Sequence, residues 1–345
     1  MDTRIVPADE TGLAEAAGLL LAGNLVAFPT ETVYGLGGLA SRIESIRAIF
    51  TAKGRPTTDP LILHLSEPDL EKAVTEGWVA GPLSESAVAL TKNHWPGPLT
   101  LILRRGPRTH REMTAGLDTV AVRCPAHPAA QSLLRQVGEP LAAPSANLFG
   151  RISPTDAEAV RQELGGKIRL ILDGGPCSVG LESTVVNLVS PAPEILRPGA
   201  ITPDQIARIL GSMPSLCRAS TKKEMAQIAP GQLASHYAPR IPLYLCDSPI
   251  RFFHPDYFHI LFRKSEGPIS QNTIVLTTDE NLESAARQLY RALRTADSSG
   301  RHAILVEPVP DGLWADAIRD RLSRASSGTA GWDGKTWKLL RGNNT

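Results

Sequence analysis

Apolar residues recur along the first two-thirds of the chain in two kinds of pattern. A spacing of three to four residues, typical of a helix with one buried face, predicts helices over 12–23, 43–52, 84–93, 127–137, 155–164 and 203–210. Short apolar runs predict the strands Leu25–Phe28, Leu61–Leu65, Leu99–Leu103, Val120–Arg123, Leu141–Ala143, Ile168–Leu172 and Thr184–Val189. Because helices and strands alternate, the pattern predicts an α/β domain. The uneven spacing of the strands favours a mixed, twisted sheet.

The pattern changes after Gly211. Residues 212–240 contain several prolines and glycines and no sustained periodicity, which predicts a linker. Beyond them, strand-like runs at Ile241–Leu245, Thr273–Leu276 and Ala303–Val306 alternate with amphipathic helices over 280–295 and 313–325. This predicts a second, small Rossmann-like α/β domain that lacks the G-x-G-x-x-G loop of a nucleotide site. The sequence from Thr329 onward predicts no element.

The composition is that of an ordinary globular protein. The chain has 345 residues, enough for two domains, and its net charge of +1 gives no argument for wholesale nucleic-acid or membrane binding. Its four cysteines form no C-x-x-C pair, so we expect reduced thiols rather than a zinc or redox motif. The sequence shows neither a signal core nor a run of about 18 apolar residues, so we predict a cytoplasmic protein without membrane contact.

Polar side chains cluster where predicted strands and helices end. PTETVYGLG follows the first strand and carries Thr30, Thr32 and Tyr34, more hydroxyls than a turn requires. KGRPTTDPLILH places Lys53 and Arg55 directly after a helix. Two cations on a loop stiffened by glycine and proline suit phosphate or carboxylate binding. They equally suit a solvated helix C-terminus.

Further polar residues end later strands or precede a helix. They are His64, Arg123, Ser145, Asn147, Ser153, Ser183 and Arg197. Singly, a strand-end histidine or arginine is more often structural, and Thr155 with Glu158 also fits a capping box. In open α/β sheets, however, ligands bind in the crevice at strand ends. The set therefore predicts a cationic, hydroxyl-rich pocket for a polyanion and a small polar molecule.

Motifs of other chemistries are absent from the sequence. It contains no metal-spaced His/Cys cluster, no P-loop and no legible Ser-His-Asp arrangement. The pocket therefore favours electrostatic catalysis of phosphoryl or nucleotidyl transfer over nucleophilic catalysis. Within the linker, PGQLASHYAP places His236 and Tyr237 between glycine and proline residues. This segment is either a docking patch or a lid that closes on the pocket.

Eight motifs occur in the order that marks the YrdC-type domain: PTETVYGLG, KGRP, PLILH, WPGPLT, VAVRCP, PSAN with SPT, ESTVV and LRPG. With HYAP and the second α/β domain, the chain resembles the two-domain form of the threonylcarbamoyl-AMP synthase family over residues 9 to 325. The resemblance implies a YrdC-type catalytic domain at 9–199 with a twisted mixed sheet. It also implies a linker or lid at 212–240 and a C-terminal Rossmann-like domain at 241–345.

The resemblance further implies a nucleotidyltransferase. L-threonine, bicarbonate and ATP would give threonylcarbamoyl-AMP and pyrophosphate, and a separate tRNA threonylcarbamoyl transferase would use the product for threonylcarbamoyladenosine modification. No protein nucleophile is needed, so the enzyme has to orient anions and exclude water. Magnesium would arrive with ATP as part of the substrate, and neither a protein metal ligand nor a tightly bound cofactor is expected.

The family pattern also implies roles for individual residues. Lys53 and Arg55 would be catalytic. L-threonine would be bound by Thr32, His64, Arg123, Ala143 and Ser183, with Arg123 on its carboxylate. ATP would be bound by Lys53, Arg55, Asp59, Thr119, Ser145, Asn147, Ser153, Arg197, His236 and Tyr237. Asp59 stands where the family often has asparagine, which puts a negative charge near a polyanion.

Two other functions stay open at this point. Because YrdC-like domains can present a concave basic surface, the chain could be an RNA-binding module whose affinity falls steeply with salt. A weak RNA contact is also expected of the enzyme itself. Alternatively, the chain could transfer a carbamoyl group to a different acceptor. Enzymes of that kind usually carry zinc-finger, acylphosphatase-like or kinase-like modules, which this sequence does not show.

Overall fold

The computed structural model describes residues 2–217, 236–264 and 269–342. They divide into two compact units. The described residues of the first unit are 2–149, 153–178 and 182–217, and those of the second are 150–152, 179–181, 236–264 and 269–342. Most of the predicted linker, residues 218–235, lies outside the described residues. The domain boundaries given above stay predictions.

The first unit is an α/β structure. Its described helices are α1 Glu10–Leu21, α2 Ile43–Lys53, α3 Leu70–Thr75, α4 Glu85–His94, α5 Pro128–Val137, α6 Ala157–Leu164 and α7 Pro203–Leu210. Its described strands are β1 Arg4–Pro7, β2 Val26–Phe28, β3 Gly35–Leu39, β4 Ile62–His64, β5 Leu99–Arg104, β6 Thr119–Arg123, β7 Leu141–Ala143, β8 Leu170–Asp173, β9 Thr184–Asn187, β10 Glu194–Arg197 and β11 Ser215–Leu216.

The strands of the first unit form one mixed sheet. Among the described residues its order is β1-β8-β2-β3-β7-β4-β6-β5-β9-β10-β11. Strand β4 runs parallel to β6 and antiparallel to β7, which confirms the predicted mixed sheet. The register sets His64 opposite Arg123 of β6 and opposite Leu141 of β7. The central strands therefore bring two predicted site residues side by side.

Helices cover both faces of this sheet. Leu20 of α1 and Leu133 of α5 belong to one buried cluster, together with Phe28 of β2. Residues of α2, α4 and α6 belong to another, together with Ala27 of β2. Successive residues of β2 thus alternate between the two clusters, as a pleated strand between two layers of helices requires.

The start of α6 differs from the prediction. Asp156 is its N-cap, and the Asp156 side chain accepts the N–H of Ala159 at 2.8 Å. The capping box predicted for Thr155 and Glu158 is therefore wrong. Because aspartate is as good an N-cap as threonine, the sequence offered two adjacent candidates and only the backbone conformation decides between them.

The second unit contains a smaller sheet. Its described helices are α8 Leu282–Asp297 and α9 Ala315–Ala325, and its described strands are β12 Leu243–Cys246, β13 Tyr257–Leu261, β14 Thr273–Val275, β15 Ala303–Val306, β16 Gly328–Trp332 and β17 Trp337–Arg341. The sheet order is β14-β13-β15-β12-β16-β17. All neighbouring strands run parallel except β16 and β17. This confirms the predicted small α/β unit. Every helix of the described residues is too short or too polar to span a bilayer.

A buried histidine makes the stability of the second unit depend on pH. His259 of β13 is fully buried, and its Nε2 accepts the N–H of His254 at 3.3 Å, which requires a neutral ring. Burial lowers the pKa of His259 to about 4. In an unfolded chain this pKa is about 6.5. The stabilisation is therefore complete above pH 6.5 and is lost as the pH falls towards 4.

We expect His259→Gln to weaken this pH dependence. Glutamine can keep an acceptor near the His254 N–H but does not titrate in this range. The melting temperature of the variant should fall less between pH 7 and pH 5 than that of the wild type, as measured by thermal unfolding at both pH values. His302→Gln, at an exposed position of the same unit, is the control. If the melting temperature of His259→Gln falls between pH 7 and pH 5 as much as that of the wild type, His259 is not the source of the pH dependence.

Candidate active site

The loop between β2 and β3 is held in shape by its own hydroxyls. Thr30 Oγ1 accepts the N–H groups of Thr32 and Val33 at 3.2 and 3.3 Å, and it donates to the Val33 carbonyl at 2.6 Å. Thr32 Oγ1 lies 2.9 Å from Thr30 Oγ1. Both threonines are buried. Thr30 thus organises the turn that presents Thr32.

Tyr34 fastens the end of the same loop to another strand. Its hydroxyl donates to the Gly175 carbonyl at 2.8 Å and lies 3.2 Å from Asp173 Oδ1. Burial, and then the charge of Asp173, raise the pKa of Tyr34 far above its ordinary value, so the hydroxyl stays protonated. The hydroxyls of PTETVYGLG therefore do not all point towards a ligand, because those of Thr30 and Tyr34 make contacts within the protein.

Arg123, at the end of β6, is held on three sides. Its Nη2 donates to Glu31 Oε1 at 2.6 Å, its Nη1 to Thr32 Oγ1 at 2.8 Å and its Nε to the Gly97 carbonyl at 3.3 Å. The other carboxylate oxygen of Glu31 accepts the N–H of Ala126 at 3.0 Å. Arg123 and Glu31 are only 3% and 6% exposed, so this is a buried ion pair. Sequence reasoning missed Glu31, although a buried arginine requires a counter-ion.

His64, at the end of β4, is a neutral neighbour of Arg123. Its Nδ1 lies 3.1 Å from the Ile62 carbonyl. Because a carbonyl only accepts, Nδ1 carries the proton and Nε2 is an acceptor. Burial, and then the charge of Arg123, lower the pKa of His64 to about 3. At neutral pH this ring can accept a hydrogen bond from a ligand, but it cannot act as a proton donor through an imidazolium.

Lys53, the last residue of α2, is buried. Gly54, with φ of 62°, ends the helix in the left-handed conformation. Lys53 Nζ donates to the carbonyls of Ser145 and Asn147 at 2.6 and 2.5 Å. Burial, and then the charge of Arg55, lower the pKa of Lys53 well below its ordinary value. The interpretation of Lys53 as a solvated helix terminus is therefore wrong.

Arg55 forms a buried ion pair with Asp59. The distance from Arg55 Nη2 to Asp59 Oδ1 is 2.9 Å, and the guanidinium also donates to the carbonyls of Asp59 and Pro60. The negative charge expected at Asp59 is therefore balanced within the protein by Arg55. Both cations of the KGRP motif are thus fixed by buried contacts.

A third buried arginine, Arg197, ends β10, and two buried serines make hydrogen bonds close to the start of β9. Arg197 donates through Nε and Nη2 to the Ser183 carbonyl at 3.1 and 3.0 Å, and through Nη2 to Ser183 Oγ at 3.1 Å. Ser183 Oγ lies 2.7 Å from Thr100 Oγ1. Ser153 Oγ donates to Glu182 at 2.6 Å. Sequence reasoning missed Thr100 and Glu182, whose partners lie on distant parts of the chain.

The remaining predicted residues occupy three different places. Ala143 is buried at the end of β7, opposite Ile62. Thr119 begins β6 whereas Arg123 ends it, so they are about 13 Å apart along the strand, and Thr119 lines a separate cavity of 240 Å³. His236 and Tyr237 are buried in the second unit.

The geometry of the first unit suits the binding of anions. Its predicted cations lie at the ends of helices or strands and are oriented by carbonyls, hydroxyls and buried carboxylates. Within the described ranges, no group of three His, Cys, Asp or Glu side chains is arranged to hold a metal ion. The arrangement can orient and stabilise negative charge by fixed dipoles and cations.

Three comparisons relate the chain to known proteins. Residues 18–199 match the Sua5/YciO/YrdC family, described as telomere recombination, and residues 201–327 match the C-terminal domain of threonylcarbamoyl-AMP synthase. The Bacillus subtilis threonylcarbamoyl-AMP synthase is 41% identical, over 92% of this chain and 93% of its own. The Pyrococcus abyssi one is 38% identical, over 92% and 95%. A crystal structure of P. abyssi Sua5 complexed with L-threonine matches with a TM-score of 0.86 at 36% identity, over 96% of this chain and 100% of that chain.

Proposed function

This chain belongs to the threonylcarbamoyl-AMP synthase family, and we propose that the polar strand ends of its first unit bind the substrates. The protein is a nucleotidyltransferase that forms threonylcarbamoyl-AMP from L-threonine and ATP, for tRNA modification. The observation that carries the residue assignment is the buried group of Arg123, Glu31 and Thr32 beside the neutral His64. This group offers a cation for a carboxylate, a hydroxyl, and a neutral ring nitrogen that can accept from an amine, which suits a small zwitterion.

Arg123 is proposed to hold the threonine carboxylate. A guanidinium has five N–H groups, and three of them donate to Gly97, Thr32 and Glu31. These contacts support a fixed orientation of Arg123, in which the two N–H groups that remain would donate to a planar carboxylate. Nε2 of His64 would accept a hydrogen bond from the amino acid. Thr32, Ala143 and Ser183 complete the proposed threonine side.

The ATP side is proposed to be centred on Lys53 and Arg55. A phosphate that approaches Lys53 would bring negative charge to a buried ammonium whose pKa is lowered by burial and by Arg55. That charge would favour the protonated form, so binding and protonation support each other. The other proposed ATP residues are Asp59, Thr119, Ser145, Asn147, Ser153, Arg197, His236 and Tyr237.

We propose bicarbonate as the source of the carbamoyl carbon. The threonine amine combines with CO₂ to give a carbamate, and a carbamate oxygen attacks the α-phosphorus of ATP while pyrophosphate leaves. Because both the carbamate and the mixed anhydride are lost in water, burial of the reacting groups protects them. Magnesium is proposed to enter with ATP and to neutralise charge on the phosphates. The proposed consumer of the product is a separate tRNA threonylcarbamoyl transferase, and a weak RNA contact stays a prediction.

Pyrophosphate release tests this proposal. We expect release from ATP with magnesium to require both L-threonine and bicarbonate, and L-serine to be a poor substitute. The assay compares bicarbonate buffer with CO₂-depleted buffer, with and without each amino acid. ATP turnover that ignores threonine would indicate a different acceptor. Absence of turnover in folded protein, together with salt-sensitive RNA retention, would favour an RNA-binding module.

A further inference from the structure

Tyr237 has an unusual backbone conformation within the second unit. Its φ is +62°, in the left-handed region that a bulky L-residue enters only when its surroundings hold it there. The His236 N–H donates to the Arg324 carbonyl at 3.1 Å, and the Ala238 N–H donates to the Gly150 carbonyl at 2.8 Å. Both residues that flank Tyr237 are therefore fixed by backbone hydrogen bonds.

The ring of Tyr237 is fixed as well. It is 1% exposed and stacks on Tyr290 of α8, with ring centroids 5.8 Å apart and planes 28° from parallel. The guanidinium carbon of Arg321 in α9 lies 5.5 Å from the Tyr237 centroid, a distance that allows cation–π attraction. The His236 ring meets the Tyr237 ring edge-on at 4.2 Å.

Arg321 brings a buried charge to this position. It is fully buried, and its Nη1 lies 2.8 Å from Asp320 Oδ2. Asp320 Oδ1 accepts from Arg324 Nε at 2.9 Å. One carboxylate thus holds two arginines, one under the Tyr237 ring and one whose carbonyl binds the His236 N–H. A buried ion pair is often no more stabilising than apolar packing of similar volume, so the orienting contacts of this cluster are the better guide to its role.

We propose that Arg321 is a positioning residue for the reaction, which fixes the His236–Tyr237 pair in the conformation that serves ATP. Asp320 orients Arg321, and Arg321 orients the Tyr237 ring. This inference rests on the proposed assignment of His236 and Tyr237 to ATP.

A double-mutant cycle with full-length enzyme tests the inference. We expect Arg321→Met to raise the KM for ATP about tenfold, with kcat and the KM for threonine within about twofold of the wild type. Tyr237→Ala should raise the KM for ATP by at least as much. The double variant should be no worse than Tyr237→Ala, because Arg321 acts through Tyr237. The control is Arg319→Met, which removes a partly exposed arginine of α9 that pairs with Asp311 ahead of the helix, and it should leave the KM for ATP unchanged.

Several outcomes would overturn the inference. If the increases in the KM for ATP caused by Arg321→Met and Tyr237→Ala multiply in the double variant, the two residues act independently. A lower melting temperature of Arg321→Met with an unchanged KM for ATP would show a purely structural role. If Arg321→Met does not fold, Arg321→Lys, which keeps the charge but not the planar fork, is measured in the same cycle. An unchanged KM for ATP in Tyr237→Ala would refute the ATP assignment and this inference together, while threonine-dependent pyrophosphate release would still uphold the synthase reaction.

Discussion

Replacement of Lys53 by methionine is expected to lower kcat/KM for ATP by about 100-fold or more. Removal of one fixed donor to developing negative charge costs on the order of 10²–10³ in rate. Lys53 also ties the carbonyls of Ser145 and Asn147 together, so its loss disturbs two further proposed ATP residues. Methionine has a similar length and no charge, and it can fill the buried channel of the lysine stem. Steady-state pyrophosphate release against ATP concentration gives the comparison.

Lys92 provides the matched control for Lys53. It also lies in the last turn of a helix, α4, but it is exposed. Lys92→Met should retain the kinetics of the wild type. If Lys53→Met is folded, as shown by thermal unfolding, and its kcat/KM equals that of Lys92→Met, Lys53 has no role in ATP chemistry.

Most strands of the first unit were predictable because each is a short apolar run between helices. Strand β3 was not, since three of its five residues are glycine. A Cβ at Gly37 would lie 2.8 Å from a ring carbon of Phe28 in the neighbouring strand. The glycine is therefore required by close packing across the sheet rather than by a turn. Secondary-structure propensity depends on residue type alone and does not predict such a contact.

The hairpin of β16 and β17 was missed for a different reason. Trp332 and Trp337 face each other across it, and the Asp333 side chain accepts the N–H groups of Lys335 and Thr336 within the turn. Asp-Gly between two such runs is a recognised hairpin signal. Because tryptophan is enriched in strands, the Asp333–Gly334 pair between Trp332 and Trp337 is the signal that the sequence offers for this hairpin.

At the candidate site, residue types could be predicted but their partners could not. Hydroxyls and cations at strand ends are visible in the sequence. The pairing of Arg123 with Glu31, 92 positions away, depends on how β2 and β6 are arranged in the sheet. A sequence can indicate that a buried arginine needs a counter-ion. It cannot say which of the chain's acids supplies it.

Glu31→Gln is expected to raise the KM for L-threonine about tenfold or more, with a smaller change in the KM for ATP. The carboxylate accepts from both Arg123 and the N–H of Ala126. A glutamine amide offers one oxygen and one NH₂, so one of these two donors would face another donor. An unsatisfied buried donor costs about 1–3 kcal/mol, and the loop that presents Thr32 would shift to relieve it. Initial rates at saturating ATP and varied threonine measure the effect.

The substitution also removes a negative charge beside the proposed carboxylate site, which by itself would favour threonine. We expect the misorientation of Arg123 to outweigh this charge effect, because a guanidinium recognises a carboxylate only when its N–H groups are correctly oriented. Glu158→Gln is the control, since Glu158 pairs with Arg161 by two hydrogen bonds on the exposed surface of the same unit. A lower KM for threonine in Glu31→Gln would mean that Glu31 competes with the substrate for Arg123 instead of orienting it.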